Sequence, residues 1–283
     1  MSVDPPSPAW YFAAGLFVAE GTCRFCLKRG DRRNKSETVE QQLFARYHDT
    51  KVLRKSGMHS SDKKEIIYVG DPMCAWCFGF ASILDEVMER FGQKVSFHLL
   101  MGGLRVDNPV RITQELKPRM LENWERVTKT TGQAIHGHLL EAAPEFSYDS
   151  LPASIAVVAV RRLKPQAAFA YYKALHEAFY LGLEDITKPE VLCRLAREVG
   201  ICPEAFQKEM ASDAIENLAR RDFETAQEYN ALAFPAFVLK EGETASILNQ
   251  GYKPLETLLP HITNWVRGTL ETEKVSPGLL IFG

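Results

Sequence analysis

Apolar residues between positions 65 and 92 predict a buried strand followed by an amphipathic helix. Residues 66–69 form a β-branched and aromatic run, which is typical of a strand buried on both faces, and the Gly-Asp-Pro of 70–72 ends it. Apolar residues then recur at i, i+3, i+4, i+7, i+8 and i+11, the spacing of one helix face. They are Phe80, Ile83, Leu84, Val87, Met88 and Phe91. The pattern predicts one helix from Cys77 to Gly92.

The rest of the pattern predicts a second strand, a long helical region, two further strands and a closing helix. Within the helical region, Thr187 and Glu190 resemble a capping box at the start of one helix. Turn residues at 241–243 separate the last two strands. The predicted bounds are 95–100 for the second strand, 107–230 for the helical region, 234–239 and 247–250 for the last two strands, and 255–267 for the closing helix.

Residues 1–64 lack this order. No period of 3.6 or 2 runs through them, so we expect a partly disordered extension. Because Met58 lies just before the first strand, residues 1–57 are candidates for a segment outside the native product. The predicted organisation is an extension at 1–64, the first part of an α/β domain at 65–106, a helical insertion at 107–230, the second part of the domain at 231–270, and a tail at 271–283.

Composition and charge argue against several classes of protein. Apolar residues make up 46% of the 283 residues and charged residues 25%, an ordinary globular balance. A formal net charge of −2 gives no basic field for nucleic acid or an anionic membrane. The longest apolar run, residues 9–19, is shorter than the ~20 residues of a spanning helix and has no basic residue before it. We therefore expect a cytoplasmic protein that binds neither nucleic acid nor membrane.

Two of the six cysteines, Cys74 and Cys77, lie in the sequence Cys-Ala-Trp-Cys between the first strand and the helix. At a helix N-terminus, unpaired backbone N–H groups and the positive end of the helix dipole stabilise a thiolate. We therefore expect a lowered pKa for Cys74 and assign it as the nucleophile. Cys77, one turn later on the same side, is placed to attack a mixed disulfide on Cys74 and release the substrate.

Metal binding is an alternative function for this pair. Zinc takes four ligands, and a second Cys-x-x-Cys pair, Cys23 and Cys26, could supply two of them. The 47 residues between the two pairs are unlike the spacing of compact zinc modules. The order of strand, motif and helix favours redox chemistry instead, and we expect neither a metal nor a cofactor.

A further feature is Phe234-Pro235, directly before an apolar strand. With this feature, the segments "GDPMCAWCFGF", "HLLMGGLR" and "FPAFVL" make the chain resemble the DsbA-type branch of the thioredoxin superfamily, in particular its cytoplasmic FrnE-like members. The resemblance covers about residues 65–270. It implies an α/β, thioredoxin-like fold with a large helical insertion.

The resemblance also implies a role for each site residue. Cys74 is expected to be the nucleophile and Cys77 the resolving cysteine. Pro235 is expected to be cis and to lie beside the disulfide, while the backbone of Phe234 pairs with a bound peptide strand. Trp76 is expected to tune the redox potential and to offer substrate an apolar contact.

Three positions depart from well-known relatives. DsbA carries Pro-His between its cysteines, where this chain has Ala75-Trp76. Thioredoxins have a buried Asp six residues before the first cysteine, where this chain has Tyr68. Asp71 is a candidate proton acceptor in its place, although a carboxylate in a turn is more often solvated. These departures leave the direction of the redox reaction open.

The favoured function is disulfide exchange with protein or peptide thiols, with glutathione as a further candidate partner. One alternative is a glutathione-dependent isomerase or transferase resembling the kappa class, which uses a single Ser or Cys, so that Cys77 argues against it. The other alternative is a protein that binds metal through its Cys-x-x-Cys pair without catalysis.

Overall fold

The computed structural model describes residues 63–136 and 146–268. The predicted tail at 271–283 and all but the last two residues of the predicted extension at 1–64 lie outside the described residues. Within the described ranges, no helix has the length and apolar character needed to cross a bilayer.

The described residues form six strands and nine α-helices. The strands are β1 (Lys64–Gly70), β2 (Ser96–Met101), β3 (Val110–Arg111), β4 (Ser147–Tyr148), β5 (Ala236–Glu241) and β6 (Thr244–Gln250). The helices are α1 (Ala75–Gly79), α2 (Ala81–Phe91), α3 (Leu116–Thr131), α4 (Leu151–Leu163), α5 (Ala168–Tyr180), α6 (Pro189–Glu198), α7 (Pro203–Met210), α8 (Asp213–Glu228) and α9 (Leu255–Arg267).

Four strands form the central mixed sheet, in the order β2-β1-β5-β6. β1 runs parallel to β2 and antiparallel to β5, and β5 runs antiparallel to β6. Tyr68, in the middle of β1, lies between Leu99 and Phe237 on the neighbouring strands. The predicted first strand and closing helix are confirmed. β6 is longer than predicted, and β5 begins at Ala236 because Phe234 and Pro235 belong to the loop before it.

Successive side chains of β1 point to opposite faces of the sheet and enter two different apolar clusters. Ile66 and Tyr68 contact the larger cluster, which contains most of the helical core. Ile67 and Val69 contact a smaller cluster that includes Ala226 of α8. Both faces of β1 are therefore covered, as the continuous apolar run at 66–69 predicts.

Three details differ from the sequence-based predictions. The helix predicted from Cys77 to Gly92 is two helices that meet at Phe80, because the apolar period continues across the break and does not reveal it. The capping box at Thr187 and Glu190 is wrong: Asp185 binds both the N–H and the hydroxyl of Thr187, and no side chain caps α6. The predicted helical region also contains the short antiparallel ladder of β3 and β4.

A partly buried ion pair joins the helical insertion to the sheet. Arg161 of α4 and Asp222 of α8 form two hydrogen bonds of 2.8 Å each. Arg161 also donates to the carbonyl of Leu99 at 2.6 Å, and the N–H of Met101 donates to Asp222 at 3.0 Å. Because both backbone groups belong to β2, the pair fixes α4 and α8 to that edge strand.

Asn249 connects β6 to the loop that carries Pro235. Its amide oxygen accepts the N–H of Phe237 at 3.0 Å, and its amide nitrogen donates to the carbonyls of Pro235 (3.1 Å) and Gly251 (2.8 Å). The side chain is buried beside a register shift of the β5–β6 pair. It satisfies backbone groups that the strand ladder leaves unpaired at this point.

We expect Asn249→Ala to lower the free energy of unfolding by about 2–4 kcal/mol, because it leaves buried backbone groups of Phe237 and Pro235 without a partner. Chemical denaturation measures this change. The matched control is Gln250→Ala, whose exposed side chain accepts one N–H, from Leu232, and which should change stability by less than about 1 kcal/mol. Equal losses in the two variants would contradict the role given to Asn249.

Candidate active site

The two cysteines of the motif lie where the central strand ends and a helix begins. Cys74 is the N-cap of α1, and its Sγ accepts the N–H of Cys77 at 3.2 Å. Both residues are free thiols, with 5% of Cys74 and 1% of Cys77 exposed. The structure therefore brings the predicted pair together, with Cys74 the more accessible of the two.

Burial is the largest influence on the Cys74 thiol. It raises the pKa of Cys74 well above its ordinary value, and the neighbouring Cys77 thiol and Asp71 raise it further, while the hydrogen bond from the N–H of Cys77 lowers it. The expectation of a lowered pKa for Cys74 is therefore wrong for the buried pair of free thiols. Sequence spacing indicates a helix N-terminus but does not indicate how completely the sulfur is enclosed.

The loop before β5 reaches the sulfur of Cys74. The Phe234–Pro235 peptide bond is cis, as the family resemblance implies. The carbonyl oxygen of Phe234 lies 3.7 Å from Sγ of Cys74 and accepts a hydrogen bond from the thiol. A Cβ atom on Gly102 would overlap the ring of Phe234, so glycine at 102 leaves room for this ring. The predicted juxtaposition of this loop with Cys74 is confirmed.

Trp76 is half-buried at the edge of the site. Its indole N–H donates to Asn123 of α3 at 3.3 Å, and its ring contacts that of Tyr252, with 5.8 Å between centroids. The guanidinium of Arg126 lies 5.8 Å from the centre of the Trp76 ring. Sequence patterns did not indicate these three partners, which come from distant parts of the chain. The role of Trp76 in contacting substrate remains a prediction.

Asp71 is fully buried rather than solvated. Its carboxylate accepts the N–H groups of Met73 (2.9 Å) and Leu104 (2.7 Å). Burial raises the pKa of Asp71 from 3.8 to about 6, against the lowering effect of these hydrogen bonds. The role of Asp71 as a proton acceptor remains a prediction.

Polar side chains of α5 and β4 satisfy the carbonyl groups of the active-site loop. The carbonyl of Asp71 accepts from Tyr172 (3.3 Å) and from the imidazole of His176 (3.1 Å). The carbonyl of Met73 accepts from Tyr180 (2.6 Å) and from Tyr148. Burial lowers the pKa of His176 to about 4, so the ring is neutral and donates one N–H.

Sequence analysis missed this set of donors. Tyr172, His176 and Tyr180 occur at i, i+4 and i+8, so they lie on one face of α5. That spacing of polar-tipped aromatic residues in an apolar helix is the signal that could have revealed them. Among the described residues, no group of three or more metal-binding side chains occurs. Cys23 and Cys26 lie outside the described residues.

A family model described as Thioredoxin matches residues 67–259, more than half of the chain. The fold and the strand–Cys-x-x-Cys–helix site are those of thioredoxin-like proteins, and the chain belongs to the thioredoxin family.

Solved structures support the same assignment. The chain is similar to a candidate protein disulfide isomerase from Nitrosomonas europaea, with 30% identity, a TM-score of 0.67, and coverage of 73% of this chain and 99% of that chain. The cytosolic disulfide reductase DsbM from Pseudomonas aeruginosa shares the fold at 22% identity and a TM-score of 0.60, over 72% of this chain and 98% of DsbM. The predicted thioredoxin-like fold and membership of the thioredoxin superfamily are confirmed.

Curated relatives are more distant. The ClpXP adapter protein SpxH of Halalkalibacterium halodurans is 26% identical over 178 residues, which make up 62% of this chain and 58% of that protein. The chain thus spans less than two thirds of the length of this relative.

We expect the free energy of unfolding to fall by about 2 kcal/mol between pH 4 and pH 6 through Asp71 alone. Its pKa is raised from 3.8 to about 6 by burial, so in this window the folded chain binds more protons at Asp71 than the unfolded chain does. The folded state gains from this protonation at low pH and loses the gain as pH rises. Denaturant unfolding over a pH series measures the effect.

Asp71→Asn has no carboxyl group to protonate at this position. The difference in free energy of unfolding between the wild type and this variant should therefore decline from pH 4 to pH 6. Asp85→Asn is the control, because the Asp85 side chain is 57% exposed, and its pH profile should match that of the wild type. Parallel profiles for the wild type and Asp71→Asn would show that the carboxyl of Asp71 has an ordinary pKa.

Proposed function

We propose that this protein catalyses thiol-disulfide exchange with protein or peptide thiols, with Cys74 as the nucleophile and Cys77 as the resolving cysteine. The observation that carries the proposal is the position of Sγ of Cys74. It accepts the N–H of Cys77 at the start of α1 and lies 3.7 Å from the carbonyl of Phe234. The Cys77 N–H can stabilise a thiolate on this sulfur. The Phe234 backbone, which can pair with a bound peptide, lies next to the same sulfur.

The difference in exposure supports the assignment of roles. Cys77 is almost fully enclosed, whereas Cys74 has a small accessible surface. A substrate sulfur reaches Cys74 first, so the mixed disulfide forms there. Cys77 is one helical turn away and is positioned for the intramolecular step.

The exchange reaction needs no electron acceptor besides the disulfide itself. The thiolate of Cys74 attacks a substrate disulfide, one substrate sulfur leaves with the electron pair, and the other stays bonded to Cys74. Cys77, as a thiolate, then attacks Sγ of Cys74. The Cys74–Cys77 bond forms, and the second substrate sulfur leaves as a thiolate that takes a proton from solvent. The reverse sequence oxidises a substrate dithiol.

Apolar surface next to the site favours an unfolded polypeptide as the substrate. Leu232, two residues before Phe234, is 66% exposed, and Leu104, whose N–H binds Asp71, is 38% exposed. The half-buried ring of Trp76 adds an apolar contact. A peptide strand that pairs with the backbone of Phe234 would place its side chains over such a surface.

Glutathione is a second thiol partner under this proposal. DsbM from Pseudomonas aeruginosa has been solved with GSH, which supports testing the same small thiol on this chain. A kappa-like reaction with a single active residue gives no role to the thiol of Cys77, which is free and buried one helical turn after Cys74. Exchange through both cysteines is therefore the function that the site favours.

We expect Cys74→Ser to abolish the reduction and oxidation of a test polypeptide, because no other sulfur of the pair is accessible. Cys77→Ser should accumulate a mixed disulfide between Cys74 and the polypeptide, because the resolving thiolate is missing. Turnover assays and mass mapping of the trapped species measure the two results.

Cys193→Ser is the matched control, since Cys193 is a half-buried free thiol in α6, and it should retain full activity. Full turnover in either Cys74→Ser or Cys77→Ser would rule out the two-cysteine mechanism. A mixed disulfide on Cys77 instead of Cys74 would reverse the assigned roles.

A further inference from the structure

Arg126 of α3 lies beside Trp76 and is held there by two contacts. Its guanidinium donates to the amide oxygen of Asn123 at 3.0 Å, and its central carbon lies 5.8 Å from the centre of the Trp76 ring. The same oxygen of Asn123 accepts the indole N–H of Trp76 at 3.3 Å. Asn123 therefore joins the two side chains through one acceptor and holds the guanidinium next to the indole ring.

Trp76 connects this guanidinium to the candidate active site. It is a residue of α1 and lies between Cys74 and Cys77 in the motif. Its ring also contacts that of Tyr252, which follows β6, with 5.8 Å between centroids. The indole thus has partners on both sides, one of them in the helical insertion. Arg126 is adjacent to the cysteine motif in space, although it is distant from the motif in the sequence.

The positive charge of Arg126 is exposed, and no carboxylate pairs with it among the residues that the structure describes. Its two contacts are with a neutral amide and a neutral ring. Glu125, its neighbour in the chain, pairs instead with Lys129 at 2.8 Å. The guanidinium therefore keeps both its charge and several N–H donors available for an anion from solution.

An exposed arginine is usually solvated and contributes little to stability or binding. Two features distinguish Arg126 from that ordinary case. Its orientation is held by the hydrogen bond to Asn123 and by the ring contact, which lowers the entropy lost when a ligand binds. It also lies on a residue of the cysteine motif, where a bound substrate brings new polar groups.

We infer that Arg126 binds a carboxylate that the substrate carries next to its reacting sulfur, and that it gives the site a preference for anionic thiols and disulfides. This inference rests on the proposed function, in which Cys74 is the nucleophile. The planar guanidinium presents paired N–H donors that match the two oxygens of a carboxylate. Glutathione carries a carboxylate on each residue that flanks its cysteine. An acidic residue beside the reacting cysteine of a polypeptide supplies the same group.

The dimensions of a peptide agree with this assignment. Each residue of an extended chain spans at most ~3.3–3.6 Å, so a residue next to the substrate cysteine stays close to Cys74 in the mixed disulfide. Trp76 is two positions after Cys74, and Arg126 lies against its ring. Arginine keeps its proton, so Arg126 orients the substrate while the sulfurs exchange the electron pair as described above.

Two matched pairs of disulfides test the inference on the reduced full chain. The first pair is oxidised glutathione and the same disulfide with its carboxylates masked as ethyl esters. The second pair consists of two disulfide-linked short peptides that differ only in Glu or Gln next to the cysteine. The rate at which Cys74 is oxidised is measured by rapid alkylation and mass spectrometry. The preference is the ratio of the rates for the carboxylate-bearing and the neutral member of each pair.

We expect Arg126→Gln to lower this preference about tenfold in at least one pair, because a hydrogen-bonded contact with a charged group is lost. A loss with glutathione alone identifies a small thiol as the partner, and a loss with the peptides alone identifies an acidic polypeptide. Because each preference compares two reactions of the same variant, a change in stability does not alter it.

Lys129→Gln is the matched control. It removes the same charge from α3, but the Lys129 side chain is 73% exposed and pairs with Glu125, so the preference should change less than about twofold. Equal losses in Lys129→Gln and Arg126→Gln would show a general attraction of anions to α3 and would overturn the inference.

An unchanged preference of Arg126→Gln in both pairs would also overturn the inference, while the proposed function would stand as long as Cys74 is oxidised by these disulfides. If none of the four disulfides oxidises Cys74 in the wild-type chain, the proposed function fails and the inference fails with it.

Discussion

Burial of the loop between β1 and α1 requires partners for its backbone carbonyls, and α5 supplies most of them. Tyr172 and His176 bind the carbonyl of Asp71, and Tyr180 binds that of Met73. Without these donors, the loop would have to open to water, since buried unpaired carbonyls are costly. The helical insertion is therefore part of the active site as well as an addition to the fold.

This arrangement also determines the electrostatics around the sulfur of Cys74. Enclosure raises the pKa of both Cys74 and Asp71, so charge at the site depends on nearby oriented donors. The N–H of Cys77 donates a hydrogen bond to Sγ of Cys74 and so stabilises negative charge on that sulfur.

Much of the framework could be predicted from the sequence, because it depends on local patterns. The apolar run of β1, the period of α9 and the placement of Cys74 after a strand are local features. The break between two helices at Phe80 could not be predicted, because the apolar period continues across it. The absence of the capping box at Thr187 could not be predicted either, because it depends on a competing hydrogen bond to Asp185.

The site was predictable in part. The cysteine pair follows from its motif, and the position of Pro235 follows from family resemblance. The enclosure of Asp71 and the donors of α5 depend on contacts between residues about 100 positions apart in the chain. Spacing within one segment carries no information about such contacts, so the raised pKa of Cys74 was not anticipated.

The most direct test of this account is the redox equilibrium of the full chain in glutathione buffers of varied ratio, with the state of each cysteine determined by alkylation and mass spectrometry. We predict that Cys74 and Cys77 convert together from two thiols to one disulfide in a single two-electron transition, while Cys193 and Cys202 do not take part in it. A pair that remains reduced at every ratio, or cysteines that oxidise independently of each other, would contradict the account.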